Sequence, residues 1–363
     1  MPATIYDIAK EANVSIATVS RVFNNSTKVS PKTRENVMRV ARSMGYYPQA
    51  YAQGLAKKKK NNIVAIAPVM SNYFFMEVLG GIQDKLAEYE FDLNIINVTS
   101  NRVLIEQVEY VLKQRMAEGY LFISVHLSNE EWQELKKYNM PMSLVDEYHI
   151  DFNSVSVDSV EGAFTATNYL IKKGYHRISL LGARETSKPI KERKQGYMRA
   201  LQDAGISVDE NLIVASKTDY RDGFTEKGGY EAMKTLLENE PTVEACLCAS
   251  DIQAVGAIKA MKDAGRYVPL ISFDDIALAE YVELSTMHQP MYDMGYLATE
   301  KLIGQMTNEK SMVSHTVFSP QLVIRSSSEA GTFQPLADYG NYEKAETGKP
   351  ANTSKSKTQV NSK

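Results

Sequence analysis

The stretch Val14 to Asn25, VSIATVSRVFNN, sets apolar residues at helical spacing against an outer face of short hydroxyl side chains and one arginine. Such a face suits a surface that offers hydrogen-bond edges and phosphates. An arginine can bond a guanine edge through two parallel N–H groups, and small apolar side chains can meet thymine methyls. That chemistry puts Ile16, Ala17 and Arg21 against base edges in a major groove. Thr18, Ser20 and Asn24 then go to phosphates, where they set register. A surface helix with incidental polar residues is the plain alternative, and charge separates the two readings. Residues 1–60 carry 11 Lys/Arg against three Asp/Glu, a net of +8, although the 363-residue chain as a whole stands at −3. A basic head on an acidic body is the footprint expected when only the head meets a polyanion.

Catalytic chemistry finds little support. The pair Asp274-Asp275 offers two carboxylates, but neighbours on a strand point to opposite faces and cannot flank one bond. His126, His149, His176, His288 and His315 are scattered, and the phosphate-loop, zinc-protease and nucleophile-elbow patterns are absent. Cys246 and Cys248, two residues apart in an apolar run, read as buried thiols on one face of a strand rather than as a disulfide or metal pair. No enzyme activity, metal or cofactor is expected.

The elements that must hold these residues follow from pattern. Thr4 with Asp7 resembles a capping box, and Ile5, Ile8, Ala9 and Ala12 give that first helix one apolar face. Asn13-Val14 breaks it and Ser15 can cap the next helix, whose Val19, Val22 and Phe23 turn inward. Ser30-Pro31 opens a third helix with Val37, Val40, Ala41 and Met44 toward the core, ended by Gly45. Two helices joined by a tight turn make a helix-turn-helix. From Ile63 to about Ser328 short apolar runs (IVAIAP, LNIINV, YLFISV, MSLVD, RISLLG, EACLCA, LISFDD) alternate with amphipathic stretches. That alternation calls for parallel sheets with helices on both faces, and so many units call for two α/β subdomains with a cleft at the strand ends. The expected division is a small all-α head over 1–46, a hinge helix and linker over 47–62, a two-subdomain effector and dimerisation body over 63–328, and a disordered polar tail over 329–363. With no signal peptide and no apolar run of about 18 residues, the expectation is a cytoplasmic protein without a membrane partner.

TIYDIAKEANVSIATVSRVFN, then VSPKTRENVMRVARSMGYYPQAYAQGLA, resembles the DNA-binding head of the LacI family of bacterial transcription regulators. The landmarks SNYFFMEVLGGIQDKL, KKGYHRISLLG, RKQGYMRAL, ASDIQAVGAIKAM, SFDDIALAEY and HQPMYDMG resemble, in order, its periplasmic-binding-protein-like body. The resemblance implies a homodimeric repressor of operator DNA, controlled by a small effector such as a sugar or sugar phosphate in the inter-subdomain cleft. It implies a hinge helix at YAQGLA whose Ala52 and Leu55 enter the minor groove, with Leu55 wedging into a base step. It assigns effector contact to Arg193, Asp274 and Phe75, ring stacking to Phe74 and Phe224, and cleft-edge positions to Asp158 and Asp251. The phenylalanines could instead be core, and Arg193 could pair with an acid.

Three departures stand out. The segment between Pro269 and Phe273 is about four residues shorter than usual in the family, which puts the strand delivering Asp274 in question. Glu300 and Gly304 stand where the catabolite-control branch uses basic residues to grip a serine-phosphorylated carrier protein, so that partner is not expected. The tail lacks the leucine heptads that make some members tetramers. A sugar-binding protein without a DNA role is the alternative; the basic head argues against it.

Overall fold

The computed structural model describes residues 3–23, 26–46, 61–68, 73–98, 103–183, 188–217, 223–307 and 312–329. The head holds α1 (Ile5–Glu11), α2 (Ile16–Phe23) and α3 (Pro31–Ser43). The capping box at Thr4 is present: the Asp7 carboxylate accepts the Thr4 N–H at 2.8 Å, and Asp7 N–H donates to the Thr4 hydroxyl at 3.4 Å. Ile8, Ala9, Ala12, Val19, Val22, Val37, Val40 and Ala41 form the core, as the spacing predicts. Met44 does not join it. The helix stops one residue earlier, Met44 becomes its C-cap with 37% exposure, and Gly45 turns left-handed at φ 61°.

In the body β1 (Asn62–Ala67) leads to α4 (Tyr73–Ala87), β2 (Asp92–Asn97), α5 (Leu104–Lys113), β3 (Gly119–Ile123), α6 (Asn129–Lys136), β4 (Met142–Val145) and β5 (Asn153–Val157). Next come α7 (Ser159–Lys172), β6 (Ile178–Gly182), α8 (Lys188–Asp203), β7 (Ile213–Ala215), α9 (Glu226–Asn239), β8 (Ala245–Cys248), α10 (Asp251–Ala264) and β9 (Leu270–Asp274). The chain finishes with α11 (Ala277–Tyr281), β10 (Ser285–His288), α12 (Met291–Thr307), β11 (His315–Phe318) and β12 (Gln321–Val323).

Contacts divide the chain into one unit of Met1–Val157 with Pro290–Phe318 and a second of Asp158–Gln289 with Ser319–Lys363. Each unit has a six-stranded sheet, ordered β11-β5-β4-β3-β1-β2 in the first and β12-β10-β9-β8-β6-β7 in the second. The first is parallel throughout. The second departs from the expected all-parallel sheet at one edge, where β12 runs antiparallel to β10. Alternation along β8 shows why the sheet is covered on both sides. Cys246 and Cys248 pack with Ala232, Met233, Leu236, Ala257 and Met261 of α9 and α10, while Ala245 and Leu247 pack with Ala163, Ala166 and Tyr197 of α7 and α8. Both thiols are free and fully buried, 3.7 Å apart.

All seven apolar runs became strands. β5, β7, β10, β11 and β12 were not expected, because they are short and β5 (NSVSV) and β10 (STMH) put hydroxyl side chains at buried positions. The expected hinge residues 47–60 and the tail from 330 lie outside the described residues. Asn62, counted with the linker, already begins β1. Glu329, counted with the tail, is bonded to Lys173 at 2.8 Å and to Tyr169 at 2.9 Å. Among the described residues no helix is long and apolar enough to cross a membrane, and no cluster of His, Cys, Asp and Glu could hold a metal ion.

Candidate functional site

In the head, Asn13 takes φ 53°, a conformation that asparagine tolerates better than most residues, and this makes the turn between α1 and α2. Ser15 caps α2, its hydroxyl accepting Thr18 N–H at 3.1 Å. Two side chains of α3 close the other helix ends: Asn36 donates to Ala12 O at 3.1 Å, and Arg34 donates to Val22 O at 3.0 Å and Ser26 O at 2.7 Å. Arg34 therefore serves the fold, a role its place in the basic stretch did not reveal. With Val19 and Val22 buried, α2 leaves Ile16, Ala17 and Arg21 exposed and Thr18 and Ser20 half-buried. The Thr18 hydroxyl lies 2.9 Å from that of Ser15, so it has a local partner as well as an outward edge. Asn24, Ala52 and Leu55 lie outside the described residues.

In the first unit, Phe74 and Phe75 sit side by side in α4, 8% and 5% exposed, their rings edge to face with centroids 5.5 Å apart. Both have the burial of core residues, the alternative left open by the sequence. The carboxyl ends of β3 and β4 carry a polar pair that the sequence reading missed. Ser124 and Asp146 both take left-handed φ, 49° and 58°, and the serine hydroxyl donates to the Asp146 carboxylate at 2.7 Å. Just beyond them His126 Nδ1 lies 2.9 Å from Glu147 Oε2. The only hint was a polar residue directly after an apolar run.

The second unit brings Arg193 and Asp274, two of the expected effector residues, near one another. Arg193, 5% exposed on α8, lays its guanidinium over the Phe273 ring, 3.9 Å from the centroid, and donates to Ala249 O. Its Nη2 stands 4.0 Å from Asp274 Oδ1. Asp274 is the last residue of β9 and takes Gln289 Nε2 at 2.6 Å, so Gln289 joins Arg193 and Asp274 in this cluster. The shortened segment costs nothing here: β9 is a five-residue strand paired to both β8 and β10. Asp274 and Asp275 do serve different partners, but because of their left-handed φ of 118° and 61° rather than regular strand alternation. Asp275 pairs with Arg325 at 2.9 Å and His288 at 3.1 Å. Phe224 is half-buried against Ala183, Ile190 and Ala249.

Two expected contacts have partners within the fold. Asp158 is exposed and N-caps α7, accepting Glu161 N–H at 2.9 Å. Asp251 is not a cleft-edge group: it is fully buried and accepts from the Ser272 hydroxyl, the Thr286 hydroxyl at 2.6 Å and Ile276 N–H at 2.8 Å. Burial raises its pKa to about 6 against the opposing pull of those donors. What remains at Arg193, Asp274 and Gln289 is a planar donor fork beside acceptors and an amide. That set can bond vicinal hydroxyls, each of which donates and accepts.

A model of bacterial regulatory proteins, lacI family, matches residues 4–49, and one of periplasmic binding proteins and sugar binding domain of LacI family matches residues 60–312. Catabolite control protein A of Priestia megaterium is 34% identical over 333 residues, 89% of this chain and 98% of that one. A solved complex of the transcriptional regulator CelR with cellobiose is 27% identical, covers 90% of this chain and 99% of its own, and superposes with a TM-score of 0.66. The lac repressor dimer bound to operator and the anti-inducer ONPF shares the fold, with a TM-score of 0.74 at 23% identity over 90% of this chain and 99% of that one. On the strength of both family matches and the full-length relative, the chain belongs to the LacI family of DNA-binding transcription regulators.

Proposed function

We propose that this regulator binds a near-palindromic operator as a homodimer and represses transcription in the cytoplasm, where its DNA is. Ile16, Ala17 and Arg21 read base edges, Thr18, Ser20 and Asn24 hold phosphates, and Ala52 and Leu55 enter the minor groove. The observation that carries this reading is the surface of α2, which is buried through Val19 and Val22 and exposes the small N-terminal residues and Arg21. Selection of bound sequences from random DNA tests it. Two half-sites related by a dyad are expected, with affinity falling by about 0.9 in log K per phosphate contact for each unit of log salt. Loss of site preference, or binding indifferent to salt, overturns it.

The effector is a hydroxyl-rich small molecule, a sugar or sugar phosphate, bonded by Arg193 and Asp274, with Phe74, Phe75 and Phe224 as candidate apolar contacts and Asp158 at the rim. A serine-phosphorylated carrier protein is not a partner. Glu300 bonds Lys85 at 3.3 Å, and Lys85 also bonds Glu88 at 2.9 Å, so the cation on this face is already neutralised by acids that would repel a phosphate. The complex of CelR with cellobiose supports the sugar class.

A further inference from the structure

Three of the side chains that the second unit offers to an effector, Arg193, Asp274 and Phe224, are tied to one short run of chain, Ala249 to Gln253. Ala249 O accepts the Arg193 guanidinium. Two residues on, the buried Asp251 carboxylate divides its work. Oδ1 takes the hydroxyls of Ser272 on β9 and Thr286 on β10, and Oδ2 takes Ile276 N–H at 2.8 Å. These anchor points bracket the Asp274-Asp275 turn, and Thr286 Oγ1 also accepts Asp275 N–H at 3.3 Å. Two successive residues at positive φ without glycine are strained and persist only where the surroundings over-determine them.

Gln253, also fully buried, donates to Gly182 O at 3.0 Å and to Gly223 O at 3.2 Å. Gly223 immediately precedes Phe224 and takes φ 90°. The helix start that carries both residues is fixed by close approach of α9 and α10: a Cβ on Gly229 would collide with Gln253 O, and one on Gly256 with Glu226 O. The first turn of a helix is also where a buried carboxylate is best tolerated, because the N-terminal dipole favours negative charge.

We propose that Asp251 and Gln253 are positioning residues of the effector wall: Asp251 holds the turn that presents Asp274, and Gln253 holds the turn that presents Phe224. The purpose rests on the effector reading above, whereas the geometry does not. Neither side chain is accessible to a ligand, so each acts through the residue it holds. The two arms share one helix start but no hydrogen-bond partner, and they are separable.

Amide hydrogen exchange on the full chain tests this. Asp251→Ala and Thr286→Val are expected to raise exchange over 274–277 by about tenfold or more and to leave 223–225 unchanged; Gln253→Met is expected to do the reverse. Thr286→Val conserves shape and serves if Asp251→Ala does not fold. Asp251→Asn is expected to restore 274–277 to within about threefold of wild type, because its amide oxygen can still accept Ile276 N–H while the hydroxyls rotate to accept from its NH2 group. Unchanged exchange over 274–277 in Thr286→Val, or a uniform rise that includes Leu270 to Phe273, overturns the proposal. Wild type is screened in parallel by thermal shift against pentoses, hexoses, disaccharides and their phosphate esters. A binder found there is expected to lose about tenfold in affinity in Thr286→Val, and an unchanged affinity alongside raised exchange also overturns it. If nothing in the panel binds, the effector reading fails, while the exchange pattern still decides the positioning role.

Discussion

Arg21 and Arg193 are the same residue in opposite settings. Arg21 lies exposed on a short helix of the head, whereas Arg193 lies buried on α8 between an aromatic ring, a carbonyl and a carboxylate. The residues proposed to read DNA are side chains that the fold leaves in water, so their identity can change without touching the core. The proposed effector wall is made of side chains that the fold itself consumes. Function and stability are separable in the first region and joined in the second.

Truncation is the direct way to break that contrast. Arg193→Ala takes the guanidinium from Ala249 O and from Asp274, whose side chain is 15% exposed, and leaving such acceptors unsatisfied costs about 1–3 kcal/mol, more where a charge is involved. Urea unfolding is expected to show the second unit destabilised by that order, together with loss of effector binding. A variant as stable as wild type would mean that water replaces the guanidinium and that the wall is more open than its burial indicates.

Acidity sharpens the comparison, because the head lacks a group like Asp251 among its described residues. Burial holds the folded-state pKa of Asp251 near 6, above the ordinary 3.8, so the folded chain keeps this proton where the unfolded chain has released it. Its contribution favours folding most below about pH 4 and is lost as pH rises through about 6, on the order of 3 kcal/mol in all. Asp275 faces the same carboxylate and adds to the shift, and the Cys248 thiol is its other titratable neighbour. Through Asp275 the His288 and Arg325 side chains are also nearby. The unfolding midpoint followed from pH 4 to 7 in wild type and Asp251→Asn is expected to differ in slope over that window; parallel profiles would place the titrating group elsewhere.

Arg21→Ala is expected to cost about 1–3 kcal/mol of operator affinity and to relax the preference at one base pair in each half-site. Its effect on unfolding should stay within about 0.5 kcal/mol, as for other exposed positions. A loss shared equally by all DNA sequences would reassign Arg21 to a phosphate.

How much of this was legible differs between the regions for a physical reason. The head is local: Thr4 with Asp7, Ser15 with Thr18 and Ser30 with Thr33 are three residues apart, and the spacing of Val19 and Val22 gives the buried face directly. The wall is long-range. Asp274 meets Gln289 fifteen residues away, and Ser124 meets Asp146 across neighbouring strands, so no window of sequence contains either pair. Arg193 and Asp274 came through family resemblance alone. The resemblance placed Asp251 at the cleft edge, and nothing in the local sequence corrects that, because its three compensating donors lie 21, 25 and 35 residues on. The strand β10 was missed for the same reason: Ser285 and Thr286 read as loop until their buried partners are known.

The smallest effect is predicted at Ser15, where the head gives up its independence from the fold. Its hydroxyl satisfies Thr18 N–H at the start of α2 and also touches the Thr18 hydroxyl, so the residue that caps the helix orients one of the side chains proposed to bind phosphate. Ser15→Ala is expected to destabilise the head by about 1 kcal/mol, the usual loss of an N-cap. Operator affinity should fall by a similar amount, uniformly across sequences, because Thr18 sets register and not base identity. Asp is also a good N-cap, and Ser15→Asp should restore the helix while placing a carboxylate beside the DNA backbone. Circular dichroism on heating and binding to the selected operator separate the two contributions. Stability restored in Ser15→Asp with affinity still reduced would confirm that this helix start faces phosphate; recovery of both would turn α2 away from the DNA and overturn the assignment of Thr18.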